Sequence, residues 1–332
     1  MHVFRGFHHA ALAPACALTI GNFDGVHRGH QAMLALLKSE AQHRGLPSCV
    51  LTFEPHPRDF FARQSGKPEL GPPRIATLRD KLTELERCGI DQVVVLRFDQ
   101  RLSRLSPEEF IQQVLVDGLG AKYILVGDDF RFGARRAGDY AMLDAAGGQL
   151  GFDVARMNSY EVHGLRVSSS AVREALARGD MEAAAGLLGR PYSISGHIVH
   201  GRKLGRQLGF RTLNLRFRHR RAAATGIFVV RVHGLIPEPL PGVASLGLRP
   251  TVEETDRILL EVNCLEWPAE LGAEGGYGKI VRVELLHKLR DEVRFEGLDA
   301  LTAAIRQDAA DAHAYFASLH QQTRRQTTRD RI

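Results

Sequence analysis

Leu18-Thr19-Ile20-Gly21-Asn22-Phe23-Asp24-Gly25-Val26-His27-Arg28-Gly29-His30 decides the fold of the first half of the chain. Leu18-Thr19-Ile20 is apolar and reads as a buried strand. Gln31 to Lys38 reads as an amphipathic helix. What joins them is a glycine-rich strand-to-helix turn. Glycines at 21, 25 and 29 let the backbone bend tightly and approach a ligand closely. The helix behind the turn offers free N–H groups and the positive end of its dipole, a setting for phosphate. His27 and His30, three apart in the first helical turn, can point at one anion. As isolated residues they fit two solvated imidazoles equally well; the strand–turn–helix context favours phosphate.

Outward from this stretch, the chain of 332 residues is long enough for one large or two ordinary domains. It is 44% hydrophobic and 25% charged, values of a soluble globular protein. No apolar run is long enough to span a membrane, and Met1 to Phe7 lacks the hydrophobic core of a signal peptide. Cys16, Cys49, Cys88 and Cys264 are scattered without a Cys-x-x-Cys pair. They read as buried thiols of a reducing compartment, so a cytoplasmic location is expected. The net charge is +6, and Arg324, Arg325, Arg329 and Arg331 against Asp330 account for half of it in a polar tail. The charge therefore argues for neither a nucleic-acid nor a membrane partner, and it suits an enzyme that handles polyanionic nucleotides.

Residues 1–187 alternate strand-like and helix-like segments. Cys49-Val50-Leu51, Val93-Val94-Val95-Leu96, Tyr123-Ile124-Leu125-Val126 and Phe152 to Met157 read as strands. Ile75, Leu78, Leu82 and Leu85 mark one face of a helix, and Ser106-Pro107-Glu108-Glu109 opens another with a capping box. The pattern predicts an α/β domain with a doubly wound parallel sheet. After Leu188-Gly189-Arg190-Pro191 come short β-branched runs, in Tyr192 to Val199, Ile227 to Val232, Val243 to Leu246, Ile258 to Val262 and Ile280 to Leu286. These predict a mainly β, antiparallel barrel over 188–319, closed by a helix carrying Leu298, Leu301 and Ile305 and ending near Leu319. Residues 320–332 read as a disordered basic tail.

Further segments carry chemistry. Gly127-Asp128-Asp129-Phe130-Arg131-Phe132-Gly133 follows a strand, where ligands are met or a surface turn is made. Arg166-Val167-Ser168-Ser169-Ser170 opens a helix whose hydroxyls can cap it and grip phosphate. His56, between two prolines in Phe53-Glu54-Pro55-His56-Pro57, reads as a structural turn before a catalytic group. Gly196, Gly201, Gly205 and Gly209, with Lys203 among them, form a second candidate phosphate loop, although β-bulges and hairpins use such glycines too. Thr212 and Asn214 are hard oxygen ligands suited to Mg²⁺ carrying a nucleotide. Glu261, on an otherwise apolar strand, is either a general base or an outward-facing carboxylate.

His27-Arg28-Gly29-His30 resembles the signature of the nucleotidylyltransferase superfamily. Taken in order, Thr19–His30, Thr52–Pro57, Val126–Gly133, Arg166–Arg173, Gly196–Asn214, Gly226-Ile227-Phe228, Gly242-Val243-Ala244, Arg249-Pro250-Thr251, Leu260-Glu261-Val262, Tyr277-Gly278-Lys279 and Leu286–Glu292 resemble the prokaryotic bifunctional riboflavin kinase/FAD synthetase family over about residues 1–318. The resemblance implies a nucleotidylyltransferase domain followed by a riboflavin kinase barrel. It implies riboflavin, FMN, FAD and ATP as substrates and products, with Mg²⁺ as the metal. It also implies roles: Glu261 as base for the ribityl hydroxyl, Thr212 and Asn214 on Mg-ATP, and His27 and His30 on the ATP phosphates of the adenylyl step. Gly21, Asn22, Phe23, Asp24, Gly25 and Asp129 would face the nucleotide, and Arg166, Ser168 and Ser169 the departing pyrophosphate. Arg211 stands where the family usually has proline before the metal-binding Thr. A protein of this fold with FAD synthesis alone and an impaired kinase, or one that only binds flavin, is the alternative reading.

Overall fold

Every residue of Cys16–Ile20 is buried, as a strand flanked on both sides and covered on both faces must be. It is the second of six parallel strands in a computed structural model describing residues 1–162, 164–200, 212–216, 221–249, 257–272 and 276–329. The strands are β1 (His2–Arg5), β2 (Cys16–Ile20), β3 (Ser48–Glu54), β4 (Gln92–Arg97), β5 (Ala121–Gly127) and β6 (Asp153–Met157). Their order in the sheet is β1-β4-β3-β2-β5-β6. The path therefore reverses between β2 and β5, and the crevice beyond their carboxyl ends is where such sheets bind ligands. Sheet and helices belong to a first compact unit, Met1–Pro72 with Leu78–Ala171.

Two apolar clusters cover the faces of this sheet. On one, α1 (Arg28–His43) buries Leu34, Leu37 and Ala41 against Val50, Val93 and Leu125. Each leucine, shut off from water, contributes about 1.5–3 kcal/mol. On the other lie Phe110, Ile111, Val114 and Leu143, from Pro107–Phe110, a π turn over Ile111–Val116, and the helix Tyr140–Leu150. The capping box at Ser106 and Glu109 forms as the sequence predicts. β1 is a short edge strand with one buried residue, so no apolar run announces it. The helix α2 (Pro57–Gln64) follows β3, and α3 (Leu78–Arg87) precedes β4. Ile75 is not on α3. It lies in Pro73–Thr77, a stretch that groups with the second unit and buries Ile75 in that unit's core. Consecutive prolines at 72 and 73 fix φ and favour extended backbone there.

The second unit is Pro73–Thr77 with Val172–Ile332. Six antiparallel strands close a barrel: β9 (Tyr192–Val199), β10 (Thr212–Arg216), β11 (Gly226–His233), β12 (Leu240–Arg249), β13 (Arg257–Cys264) and β14 (Ile280–Arg290). The order is β10-β13-β12-β11-β14-β9; the first unit also holds the two-residue strands β7 (Glu161–Val162) and β8 (Leu165–Arg166). Inward residues alternate along each strand, as Leu213 and Leu215 on β10 and Leu260 and Val262 on β13 illustrate. The sequence boundary near 187 differs from this division. The helices Ser169–Arg178 and Met181–Leu188 bury Val172, Leu176, Ala184 and Leu188 in the same cluster as the barrel interior, so packing moves the break to 171/172. The last helix, Leu298–Arg329, runs past the expected end at Leu319 and through most of the expected disordered tail, because no glycine or proline interrupts it. Its Ala312, Tyr315 and Phe316 pack on Ile227, Val229 and Val243 of the outer barrel face.

Candidate active sites

The turn after β2 is built from unusual backbone. Phe23 and Val26 sit at φ of 47° and 40°, with Gly25 at 86° between them. For the two non-glycine residues this costs about 1–2 kcal/mol each, and such strain is typical of functional sites. Close approach explains two further glycines. A Cβ on Gly21 would lie 3.0 Å from the Phe23 ring, and one on Gly29 would lie 3.3 Å from both the His27 ring and the Val167 carbonyl. His27 caps α1: its Nδ1 accepts from the His30 N–H at 3.3 Å. The two imidazoles stack with centroids 3.6 Å apart, and the Phe23 ring lies 4.9 Å from His30. Burial, then the neighbouring His27 and Lys81, hold the His30 pKa well below the ordinary histidine value. His30 is therefore neutral at neutral pH, a hydrogen-bonding group without charge. Its Nδ1 and the Asn22 Oδ1 are buried without a hydrogen-bond partner among the described residues. Buried polar atoms of this kind call for a partner.

The other predicted residues of this unit split into two groups. Ser169 donates to the Asp24 carbonyl at 3.1 Å, tying the start of its helix to the turn, and Ser168 accepts from the Ala171 N–H at 3.2 Å as a cap. Arg166 is half-exposed and lies 3.2 Å from Asp128 and 3.8 Å from Asp129. The Asp128 carboxyl is held below its ordinary pKa by the Ser159 hydroxyl, at 2.5 Å, and by Arg166. Arg166 thus meets the acids of the Gly127–Gly133 loop. His56 caps α2, accepting from the Arg58 N–H at 3.1 Å, which is the turn role the sequence favours. Sequence reading missed an aromatic cluster. Phe53, Phe60, Phe61 and Phe98 meet edge to face, with centroids 5.3–5.8 Å apart, around the carboxyl ends of β3, which contains Phe53, and β4, which Phe98 follows. Phe61 is 48% exposed. Only the adjacent Phe60-Phe61 hinted at this; Phe53 and Phe98 join through the sheet.

On the barrel, register brings the predicted groups together. Asn214 of β10 and Ser245 of β12 both pair with Glu261 of β13. Directly opposed side chains share a face. Their neighbours Leu213, Leu260 and Ala244 fill the interior, so this is the outer face. Thr212 is on the same face, opposite Asn263. Asn214 is 4% exposed, and its Oδ1 has no hydrogen-bond partner among the described residues. Ser245 donates to Glu292 at 2.5 Å, and Gly247 leaves the space that Glu292 occupies. Neither Ser245 nor Glu292 was a sequence candidate; cross-strand register sets Ser245 opposite Glu261, and Glu292, just past β14, joins through its hydrogen bond with Ser245. Gly196 lies in β9, where a Cβ would make ordinary contact with Leu215 at 3.4 Å. Gly201, Lys203, Gly205, Gly209 and Arg211 lie outside the described residues. A Thr hydroxyl beside an unpartnered Asn carbonyl oxygen fits a hard cation such as Mg²⁺. No group of three or more His, Cys, Asp or Glu among the described residues is placed to hold a metal by itself. No helix among them is long and apolar enough to cross a membrane.

Fold and geometry together define a two-module protein, with a doubly wound parallel sheet whose glycine-rich turn opens a helix in one unit and a closed barrel that sets Thr212, Asn214, Ser245 and Glu261 on one face in the other. Residues 9–171 match the FAD synthetase family model and residues 188–316 the riboflavin kinase model. The bifunctional riboflavin kinase/FMN adenylyltransferase of Escherichia coli K12 is 45% identical over 318 residues, covering 95% of this chain and 98% of that one. That of Pseudomonas fluorescens is 46% identical over 320 residues, covering 96% and 98%. A crystal structure of a macrolide-efflux protein from Streptococcus pneumoniae superposes with a TM-score of 0.75 at 26% identity, covering 94% of this chain and 99% of that one. The chain belongs to the bifunctional riboflavin kinase/FMN adenylyltransferase family.

Proposed function

We propose that this chain converts riboflavin to FMN on the barrel and FMN to FAD in the first unit, each with ATP. The observation that carries the reading is a FAD synthetase match over residues 9–171 and a riboflavin kinase match over 188–316 in a chain that aligns with its relatives almost end to end. In the first step the ribityl hydroxyl attacks the γ-phosphorus of ATP. The new O–P bond forms as the bond to the β-phosphate oxygen breaks, and ADP leaves. Glu261 takes the hydroxyl proton. Thr212 and Asn214 would hold Mg²⁺, which neutralises triphosphate charge when bound. The Asn214 oxygen, without a hydrogen-bond partner among the described residues and set opposite Glu261 across the ladder, supports both assignments.

In the second step a phosphate oxygen of FMN attacks the α-phosphorus of ATP, and pyrophosphate leaves. The nucleophile is already anionic, so no protein base is needed. His27 and His30 at the start of α1 orient the phosphates, with His30 donating from a neutral ring. The strained Gly21–Gly25 turn brings backbone close to the nucleotide. Arg166, Ser168 and Ser169 border the pyrophosphate side and Asp129 the nucleotide, although the pairing of Arg166 with Asp128 leaves the arginine only part of its charge for that task. The exposed rim of the Phe53–Phe60–Phe61–Phe98 cluster suits a flat, apolar flavin ring, by edge or face contact. Incubating the chain with riboflavin, Mg²⁺ and ATP, and separating flavins by thin-layer chromatography, tests the reading. FMN and FAD both form if it is right; FMN alone removes the second step, and neither removes both.

A further inference from the structure

Lys81 is a lysine of α3 that is only 1% exposed. Lysines are almost never buried to this degree without a paired role. Its Nζ donates to the Thr52 hydroxyl at 3.3 Å, and that hydroxyl donates to the Asn22 carbonyl at 3.3 Å. Thr52 is itself fully buried, near the carboxyl end of β3. The relay thus runs from an ammonium inside the unit to the backbone of the strained turn. Asn22 is also the residue whose side-chain oxygen is buried without a hydrogen-bond partner among the described residues. Lys81 was not a sequence candidate, because it reads as one polar position on an amphipathic helix.

We propose that Lys81 is a positioning residue of adenylyl transfer, setting the Gly21–Gly25 turn through Thr52 and the Asn22 carbonyl. This rests on the nucleotidyl-transfer reading of the first unit. The ammonium does not reach the nucleotide. It aligns the backbone that does, and a hydrogen bond made by a charged donor inside a dry site holds that alignment more firmly than a neutral one. The charge of the lysine is also felt at His30, whose pKa it helps to lower.

The test compares the full-length chain with Lys81→Met, Thr52→Val and the double variant, measuring FAD formation from FMN and ATP. Riboflavin phosphorylation by the same preparations is the control for the second unit, and circular dichroism the control for folding. Lys81→Met should lower kcat for FAD formation roughly ten- to a hundredfold while KM for ATP stays within about threefold. Thr52→Val should lower kcat less, and the double variant should be no worse than Lys81→Met, because both changes cut one relay. Unchanged kcat in Lys81→Met overturns the proposal. So does a double variant whose losses multiply, since the two groups then act independently. If Lys81→Met does not fold, Thr52→Val decides alone: a fall in kcat at constant KM supports the relay, and wild-type kcat refutes it. A wild-type chain that makes FMN but no FAD is a different result. It removes the adenylyl-transfer reading itself, and the proposal with it.

Discussion

Removing Asp308 should loosen the barrel unit without touching the first. Asp308 lies on the C-terminal helix and is 5% exposed. It accepts two hydrogen bonds from Arg290 of β14, at 2.8 and 2.7 Å, in a fork-to-fork pair. Breaking a fully buried pair by removing one partner costs about 3–5 kcal/mol, whereas exposed pairs are worth about 0.2–1 kcal/mol. The Arg290 side chain is 29% exposed, so water can re-solvate the guanidinium when the carboxylate is gone. Its Nη1 also keeps the Asp291 carbonyl at 3.1 Å. Asp308→Ala should therefore cost about 2 kcal/mol, between the two limits. The reverse change is worse. Arg290→Met strands a carboxylate that is 7% exposed, and should cost about 3–4 kcal/mol. The chain has one tryptophan, Trp267, in the second unit, so its fluorescence in urea reports that unit. At an m-value of about 2 kcal/mol/M, Asp308→Ala moves the midpoint down by about 1 M and Arg290→Met by more. Equal shifts for the two variants, or a shift under about 0.25 M for Asp308→Ala, would refute the burial argument.

Three further outcomes are expected. Glu261→Gln should slow FMN formation about 10²–10⁴-fold while FAD formation from supplied FMN is unchanged, as chromatography of the flavins will show; equal loss of both steps would remove Glu261 from the role of kinase base. His30 has a folded pKa below its unfolded value, so its contribution to stability is fully present above about pH 6.5 and is lost as pH falls toward the folded value, at up to about 1.4 kcal/mol per pH unit. Between about pH 7.5 and 5.5 the first unit should then lose more stability in the wild type than in His30→Gln, measured by urea unfolding, and parallel losses would contradict the assignment. Phe61→Ala, at an exposed position, should leave folding intact and raise KM for FMN about three- to tenfold; an unchanged KM would show that flavin docks elsewhere.

What the sequence made legible follows what is local. The turn from Gly21 to His30 could be read because strand, glycines and helix lie within a few residues; the structure adds the strained φ values of Phe23 and Val26 and the capping and stacking of the two histidines. Cross-strand and cross-unit facts were not legible. Glu261 reads from its own segment as either an outward glutamate or a base; what no local pattern encodes is the register that sets it against Asn214 and Ser245, residues about 47 and 16 positions away. Ile75 looked helical because its spacing from Leu78, Leu82 and Leu85 fits period 3.6, but two prolines upstream and a place in the second unit's core outweighed periodicity. Lys81 was invisible for the converse reason. It falls on the face of α3 that carries Leu78, Leu82 and Leu85, but a lysine there reads as an interruption of that face, and only tertiary structure brings a buried ammonium to Thr52 near the end of β3. The residues that bear on mechanism here therefore fall into two classes. Those that define a turn are written in consecutive residues. Those that align it, such as Lys81 and Thr52, are set by packing, and mutagenesis directed by motif alone would pass them by.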